Sequence, residues 1–341
     1  VYASLPDWVG EDATSRLLQV LTQQARLNKE TEAGSLLNFH NGVLFWKHFG
    51  DERKAEMSFR KMQHPPSDPE LLREFYLKYY TEQGNWRRLE QFLSDPQMGG
   101  LDDELEVKRY LGRLAEEHDN ADKAVVFWQG VHRAVPSDEE AQTVLRRLYV
   151  KVGKWHAMVD LLKQSLQSYS SDDIDGQIAI LSEMVAIYRD KLNAGPKVVE
   201  SYKSIIKLQP TNVEAMNALV VEYEKMQRWP DLVKILQQKV EVEADIPSRI
   251  ELLQRIAGIM QERFNNATEA IASYQAILKL EPEHRGAIAL LKELYEGRRQ
   301  WEQYVEISQH ELSLSSDETE QDEAYVALAK LASERIRKPQ I

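Results

Sequence analysis

Few residues in this chain are placed to do covalent chemistry. There are eight histidines. His40 and His48 stand eight residues apart with no carboxylate at ligand spacing, and neither HExxH nor a His-Cys cluster occurs. With no cysteine there is no thiolate metal site, disulfide or cysteine nucleophile. Gly99-Gly100 is followed by acidic residues, not by the Gly-Lys-Ser/Thr of a phosphate loop, and no GxSxG elbow appears. Asp102-Asp103 and Asp172-Asp173 fall at helix starts, where the positive end of the helix dipole favours carboxylates, so they read as caps. Asn266-Ala267-Thr268 fits a glycosylation acceptor only formally; at a helix turn its Asn and Thr read as caps. No catalytic, cofactor or metal set is expected. The residues that suggest recognition are Arg73, Arg109, Arg113 and Arg147, with Thr143 and Asn217 at related places. Arginine presents a planar fork suited to carboxylates. A run of such forks would suit an acidic partner, unless neighbours such as Glu70, Glu106 or Glu140 neutralise them.

What positions these residues is a repeat. In Glu251 to Glu283, Leu253, Ile256, Ala257 and Met260 share one helical face. Asn265-Asn266 breaks the pattern. A second segment carries Ala270, Tyr274, Ile277 and Leu280 until Pro282 stops it. Pro66, Pro136, Pro210 and Pro282 recur at steps of 70, 74 and 72. Phe59, Trp128, Tyr202 and Tyr274 precede them. Small residues expected at the helix crossings are Gly42, Gly112, Ala186 and Gly258, and a leucine at Gly258 would overpack that crossing. A second hairpin lies between these units: Tyr79, Tyr149, Tyr223 and Tyr295 are followed by Trp86, Trp155, Trp229 and Trp301. Recurrence in every copy points to packing for these tryptophans. The pattern predicts an all-α, right-handed α-solenoid of helical hairpins with a two-hairpin period of about 72 residues.

In chain order, residues 1–33 are a lead-in and partial hairpin. The lead-in is irregular over 1–11, and a helix follows from Asp12 to Asn28. Two-hairpin copies occupy 34–102, 103–176, 177–248 and 249–316, and 317–341 begins another. The first copy has helices over 34–49, 52–63, 69–83 and 86–94. Its loop 95–103, with Gly99-Gly100 and Pro96, is the expected place for a change of curvature. Because the chain opens and closes inside the repeat, it is expected to be part of a longer protein; the alternative is that its end helices are caps.

Of 341 residues, 43% are hydrophobic and 29% charged, which suits stacked hairpins with many solvated faces. Net charge −12 opposes nucleic-acid or anionic-membrane binding, which need a basic face. No run of 18 apolar residues could span a bilayer, and VYASLPDWVGEDATS lacks the features of a signal peptide. A cytoplasmic location is expected.

By these residues, Gly42 to Glu283 resembles the tetratricopeptide (TPR) superfamily, whose unit is a helix–turn–helix of about 34 residues. The resemblance implies a non-catalytic protein–protein interaction scaffold that docks a peptide or domain on a concave surface lined by first helices. The alternating period resembles the long TPR arrays of deltaproteobacteria, including those that organise cell polarity and gliding motility. The Trp-led helices resemble the half-a-TPR repeats of RNA-processing scaffolds, the alternative reading alongside a regulatory subunit of an enzyme complex. TPR domains that hold chaperone C-termini use Lys and Asn at fixed inner positions. Phe39, Val43, Glu183 and Ile187 stand there in this chain, so that activity does not carry over.

Overall fold

The computed structural model describes residues 11–314 and 318–336. Of the expected lead-in only residue 11 is among them, and 317 and 337–341 of the final partial copy lie outside. Among the described residues there are 18 α-helices, one π-helical turn, one 3-10 turn and no strand. Contacts divide the chain into two compact units, one ending at Leu161 and the other beginning at Leu162.

The first unit contains α1 (Glu11–Leu27), α2 (Glu32–Val43), a π-helical turn (Leu44–His48), α3 (Glu52–Phe59), α4 (Pro69–Glu82), α5 (Trp86–Leu93), a 3-10 turn (Pro96–Met98), α6 (Glu104–Glu117), α7 (Ala121–Ala134), α8 (Glu139–Val152) and the start of α9 (Trp155–Ser168). The second contains the rest of α9, then α10 (Ile174–Asp190), α11 (Gly195–Leu208), α12 (Val213–Lys225), α13 (Trp229–Val242), α14 (Ile246–Glu262), α15 (Ala267–Leu280), α16 (Arg285–Gly297), α17 (Trp301–Ser313) and α18 (Glu318–Arg335). Helices pack on their neighbours in sequence: α6 on α7 and α7 on α8 in the first unit, and each helix from α10 to α18 on the next in the second.

Local chemistry starts and stops these helices. Asp51, Asp68, Asn85, Asp103, Asn120 and Asp138 cap α3 to α8 by accepting from a backbone N–H in the first turn. The turn inside each hairpin uses one conformation throughout. A single residue takes positive φ just before the second helix: Gly50, Gly84, Asp119 and Gly153 in the first unit, and Asn193, Gln227, Asn265 and Arg299 in the second. Paired turns, such as Gly50 and Gly84 or Asn265 and Arg299, are 34 residues apart. The 72-residue spacing exceeds two such steps where α10 and α14, each of 17 residues, replace helices of 13 or 14. The helix expected over 34–49 changes register at Leu44, where the Phe49 N–H reaches back to the Leu44 carbonyl at 3.1 Å.

The core is aromatic in the first unit and aliphatic in the second. Phe59 packs between Phe39 (5.8 Å between centroids) and Phe75 (4.9 Å). In the second unit Met216, Leu219, Leu232 and Leu236 form one buried cluster, and Ala257, Ala270, Tyr274 and Ile277 belong to another. Trp86 is buried as expected, whereas Trp229 and Trp301 are half-buried and carry Arg263 and Arg335 against their rings, 4.6 and 5.5 Å from the centroids.

Two of the four expected crossing residues are misplaced by one position. A Cβ at Gly42 would lie 2.3 Å from the Phe59 ring, and one at Gly112 would lie 2.7 Å from Trp128 Nε1, so both glycines are sites of close approach. Gly258 has nothing within 4 Å of a Cβ position, and Ala186 is exposed. Their neighbours Ala257 and Val185 are the buried ones. Where a small residue follows a core residue, matching by size picks the smaller, while burial follows the helical angle. Ala257→Leu is therefore expected to cost about 1–3 kcal/mol through overpacking. Gly258→Ala should gain up to about 1 kcal/mol, because glycine inside a helix is unfavourable. Thermal melts of the two variants should move in opposite directions.

Candidate protein-docking surface

The six expected docking residues lie on first helices of hairpins. Arg73 is on α4, Arg109 and Arg113 on α6, and Thr143 and Arg147 on α8, all in the first unit; Asn217 is on α12 in the second. Arg113, Thr143, Arg147 and Asn217 are exposed, while Arg73 and Arg109 are half-buried.

The arginines do not present four uncompensated charges. Arg73 Nε donates to the Gly99 carbonyl at 2.8 Å and Nη2 to that of Gly100 at 3.4 Å. It thereby pins the loop that the glycines suggested as a place for bending. Arg109 donates to Asp138, the N-cap of α8. Arg113 donates through both Nε (3.2 Å) and Nη2 (2.6 Å) to Glu140 Oε1, and Arg147 donates to Glu116. Glu140 is one of the expected neutralising groups; Asp138 and Glu116 are not. The pairs run both ways between α6 and α8, and Lys151 with Asp119 extends the series. Arg255 of α14 likewise meets Glu224 of α12 in the second unit. Partners stand 27 to 32 residues apart, a little under one hairpin. These ion pairs strap successive first helices together. Exposed pairs of this kind contribute about 0–1 kcal/mol each, so their main effect is order along the row.

A second feature is not among the sequence-based expectations. A cleft of about 430 Å³ lies between α3, α4 and α5, walled by Phe59, Tyr76, Tyr80 and Phe92. At its edge is Glu56, whose side chain is 8% exposed. Its Oε1 accepts from Tyr80 Oη and Arg88 Nη1, both at 3.1 Å, and Arg60 Nε lies 3.7 Å away. Burial, with the Glu56 charge adding to it, pushes the Tyr80 hydroxyl up to about 12, so it stays protonated and donates. Burial also raises Tyr76, which stacks on Tyr80 at 4.9 Å. The signal lay in the spacing: Glu56 precedes the buried Phe59 by three residues, which places an acid on a core-facing stripe.

Among the described residues no group of three His, Cys, Asp or Glu side chains could hold a metal ion, and no helix is long and apolar enough to cross a membrane. The arrangement is an all-α array of helical hairpins with ordered rows of exposed side chains. No protein family and no curated protein matches the chain. Solved structures similar to it include MamA (15% identity, 53% of this chain and 94% of that one, TM-score 0.27). The TPR domain of P58(IPK) is similar at 13% identity, with 94% of each chain covered and a TM-score of 0.26. YrrB, described as a TPR protein with an unusual peptide-binding site, is similar at 12% identity over 55% of this chain and 91% of its own, with a TM-score of 0.27.

Proposed function

We propose that this chain is a non-catalytic scaffold that docks a protein partner on the face formed by the first helices of its hairpins. The observation that carries the reading is the row of exposed first-helix side chains, Arg113, Thr143 and Arg147, held in fixed order by ion pairs between α6 and α8. Stacked hairpins bury their core between neighbours and leave such faces for contact. Asn217 is the corresponding contact residue in the second unit. Arg73 and Arg109 support the surface and do not face the partner, because their guanidinium groups are committed to Gly99, Gly100 and Asp138.

An acidic partner segment fits this face by exchange. A partner carboxylate takes over Arg113 or Arg147 from Glu140 or Glu116, at little cost because the exposed pairs are weak. Affinity capture with the intact chain, followed by the Arg113→Glu and Arg147→Glu double variant, tests this. The double variant should lose the captured partner and keep its helicity and melting temperature, since exposed substitutions stay within about 0.5 kcal/mol. Binding by the parent should weaken with salt, as exposed charges are screened beyond about 10 Å at 0.1 M. A double variant that retains every partner overturns the assignment of the face. Turnover in a hydrolase and transferase screen of the purified chain overturns the non-catalytic reading.

A further inference from the structure

The cleft beside Glu56 has a counterpart in the second unit. A cleft of about 400 Å³ lies between α11, α12 and α13, and most of its lining positions fall 143 residues after those of the first. Arg60 corresponds to Lys203, Tyr80 to Tyr223, Arg88 to Asp231 and Gln91 to Lys234. The two clefts differ where it matters for charge. The position of Glu56 is taken by Val199, which is buried. The first cleft therefore carries its own carboxylate, held by a tyrosine hydroxyl and two guanidinium groups. The second retains the tyrosine and a cation, but its lining acid, Asp231, is held by Arg228 and does not join them.

The second cleft is left with excess positive charge. Lys203, Lys207 and Lys234 line it and are exposed. Among the described residues none of the three has an ion-pair partner; the Lys203 ammonium lies 5.8 Å from the centre of the Tyr223 ring. Asp231 also lines the cleft, but Arg228 holds it through Nε at 2.8 Å and Nη2 at 2.5 Å. The Tyr223 hydroxyl has no hydrogen-bond partner among the described residues. Ile206, Leu219 and Ile235 supply an apolar wall. In a chain of net charge −12, this is a local reversal of sign with no internal compensation.

We propose that the α11–α13 cleft binds an acidic peptide segment of a protein partner. One glutamate or aspartate enters beside Tyr223 and Lys203, taking the role that Glu56 plays in the first unit. Lys207 and Lys234 hold further carboxylates, and an apolar side chain of the segment rests on Ile206 and Ile235. Ammonium-to-carboxylate hydrogen bonds are about twice as strong as neutral ones, and the tyrosine adds a directed donor. The proposal rests on the scaffold reading but not on the first-helix arginines, none of which lines this cleft.

Display of a random short-peptide library against the intact chain is the direct test. The expected result is enrichment of peptides that combine Glu or Asp with an apolar residue. Their affinity should fall by about tenfold or more in Lys203→Gln with Lys234→Gln, the loss of charge-assisted bonds. These lysines are exposed, so the fold is retained. Val199→Glu, which restores the internal carboxylate, should also abolish binding; circular dichroism checks that this variant is folded. Arg113→Glu with Arg147→Glu should leave these peptides bound. Failure to enrich acidic peptides, or enrichment unaffected by the lysine changes, overturns the cleft. Selected peptides that depend on Arg113 and Arg147 instead would do the same while supporting the first-helix face. A single-stranded oligonucleotide that competes equally, with the same lysine dependence, would show a general polyanion site and also overturn the proposal.

Discussion

Trp128→Ala is expected to cost about 3–5 kcal/mol, the largest single-residue effect in the first unit. The indole is fully buried. It lies on Gly112, where a Cβ would come within 2.7 Å of Nε1 and 2.9 Å of Cε2. The glycine has no side chain to move into the space, so the cavity stays open after truncation. The indole N–H also donates to Glu116 Oε1 at 2.9 Å, and the other oxygen of Glu116 accepts from Arg147. Truncation thus loosens the link between α6 and α8 as well as the core between α6 and α7. Trp128→Phe keeps part of the ring and should cost less. Gly112→Ala should be destabilising in the parent and milder in the Trp128→Phe background, with a coupling of about 0.5–3 kcal/mol in a double-mutant cycle. Chemical denaturation measures these differences. Hydrogen exchange should place the lost protection in α6 to α8, because an array of hairpins is coupled chiefly to its nearest neighbours. Stability of the alanine variant within about 0.5 kcal/mol of the parent would contradict the packing of Trp128 on Gly112.

The helices were legible because their signals are local. Apolar residues at three- and four-residue steps, Asp and Asn caps and prolines at first turns each act within one helix. The expected spans 69–83 and 86–94 agree with α4 and α5 to within one residue. What depended on a rotation of one residue was less legible. Ala257 and Gly258 are both small, and about 100° of helical turn separates a core position from an open one. Ion pairing is hard to read for a related reason. Glu70 and Glu106 each precede an arginine by three residues on its own helix, and so read as its partners. The structure prefers partners across the hairpin gap: Arg113 with Glu140, Arg147 with Glu116, and Arg88 with Glu56. A helix-by-helix reading sees only the i+3 and i+4 neighbours. Laying one hairpin over the next brings residues 26 to 32 positions apart into reach. The same operation reveals the difference between Glu56 and Val199, which no single helix displays.

Asp138 carries the second large effect. Its Oδ1 accepts from the Ala141 N–H at 2.7 Å and caps α8, while Oδ2 takes the Arg109 guanidinium. The carboxylate is 9% exposed and its arginine 34%. Arg109 Nε is buried without a partner among the described residues, so the guanidinium depends on this one acid. Asp138→Ala should therefore remove a cap, about 0.5–2 kcal/mol, and a charged hydrogen bond of about 1.5–3 kcal/mol, for a loss of roughly 2–5 kcal/mol. Asp138→Asn keeps the cap oxygen and isolates the charge. The pH dependence separates the two contributions further. Burial pushes the Asp138 carboxyl up, but the Ala141 N–H and the Arg109 guanidinium together hold it below its ordinary value. A group whose folded value lies below the unfolded one, about 3.9, stabilises the fold above that pH. That stability is lost as pH falls through the folded value. The parent should therefore lose stability more steeply than Asp138→Asn below about pH 4, and the two curves should run parallel near neutrality. If Asp138→Ala and Asp138→Asn cost the same at neutral pH, each under about 1 kcal/mol, then the link from α6 to α8 is no stronger than an ordinary surface pair.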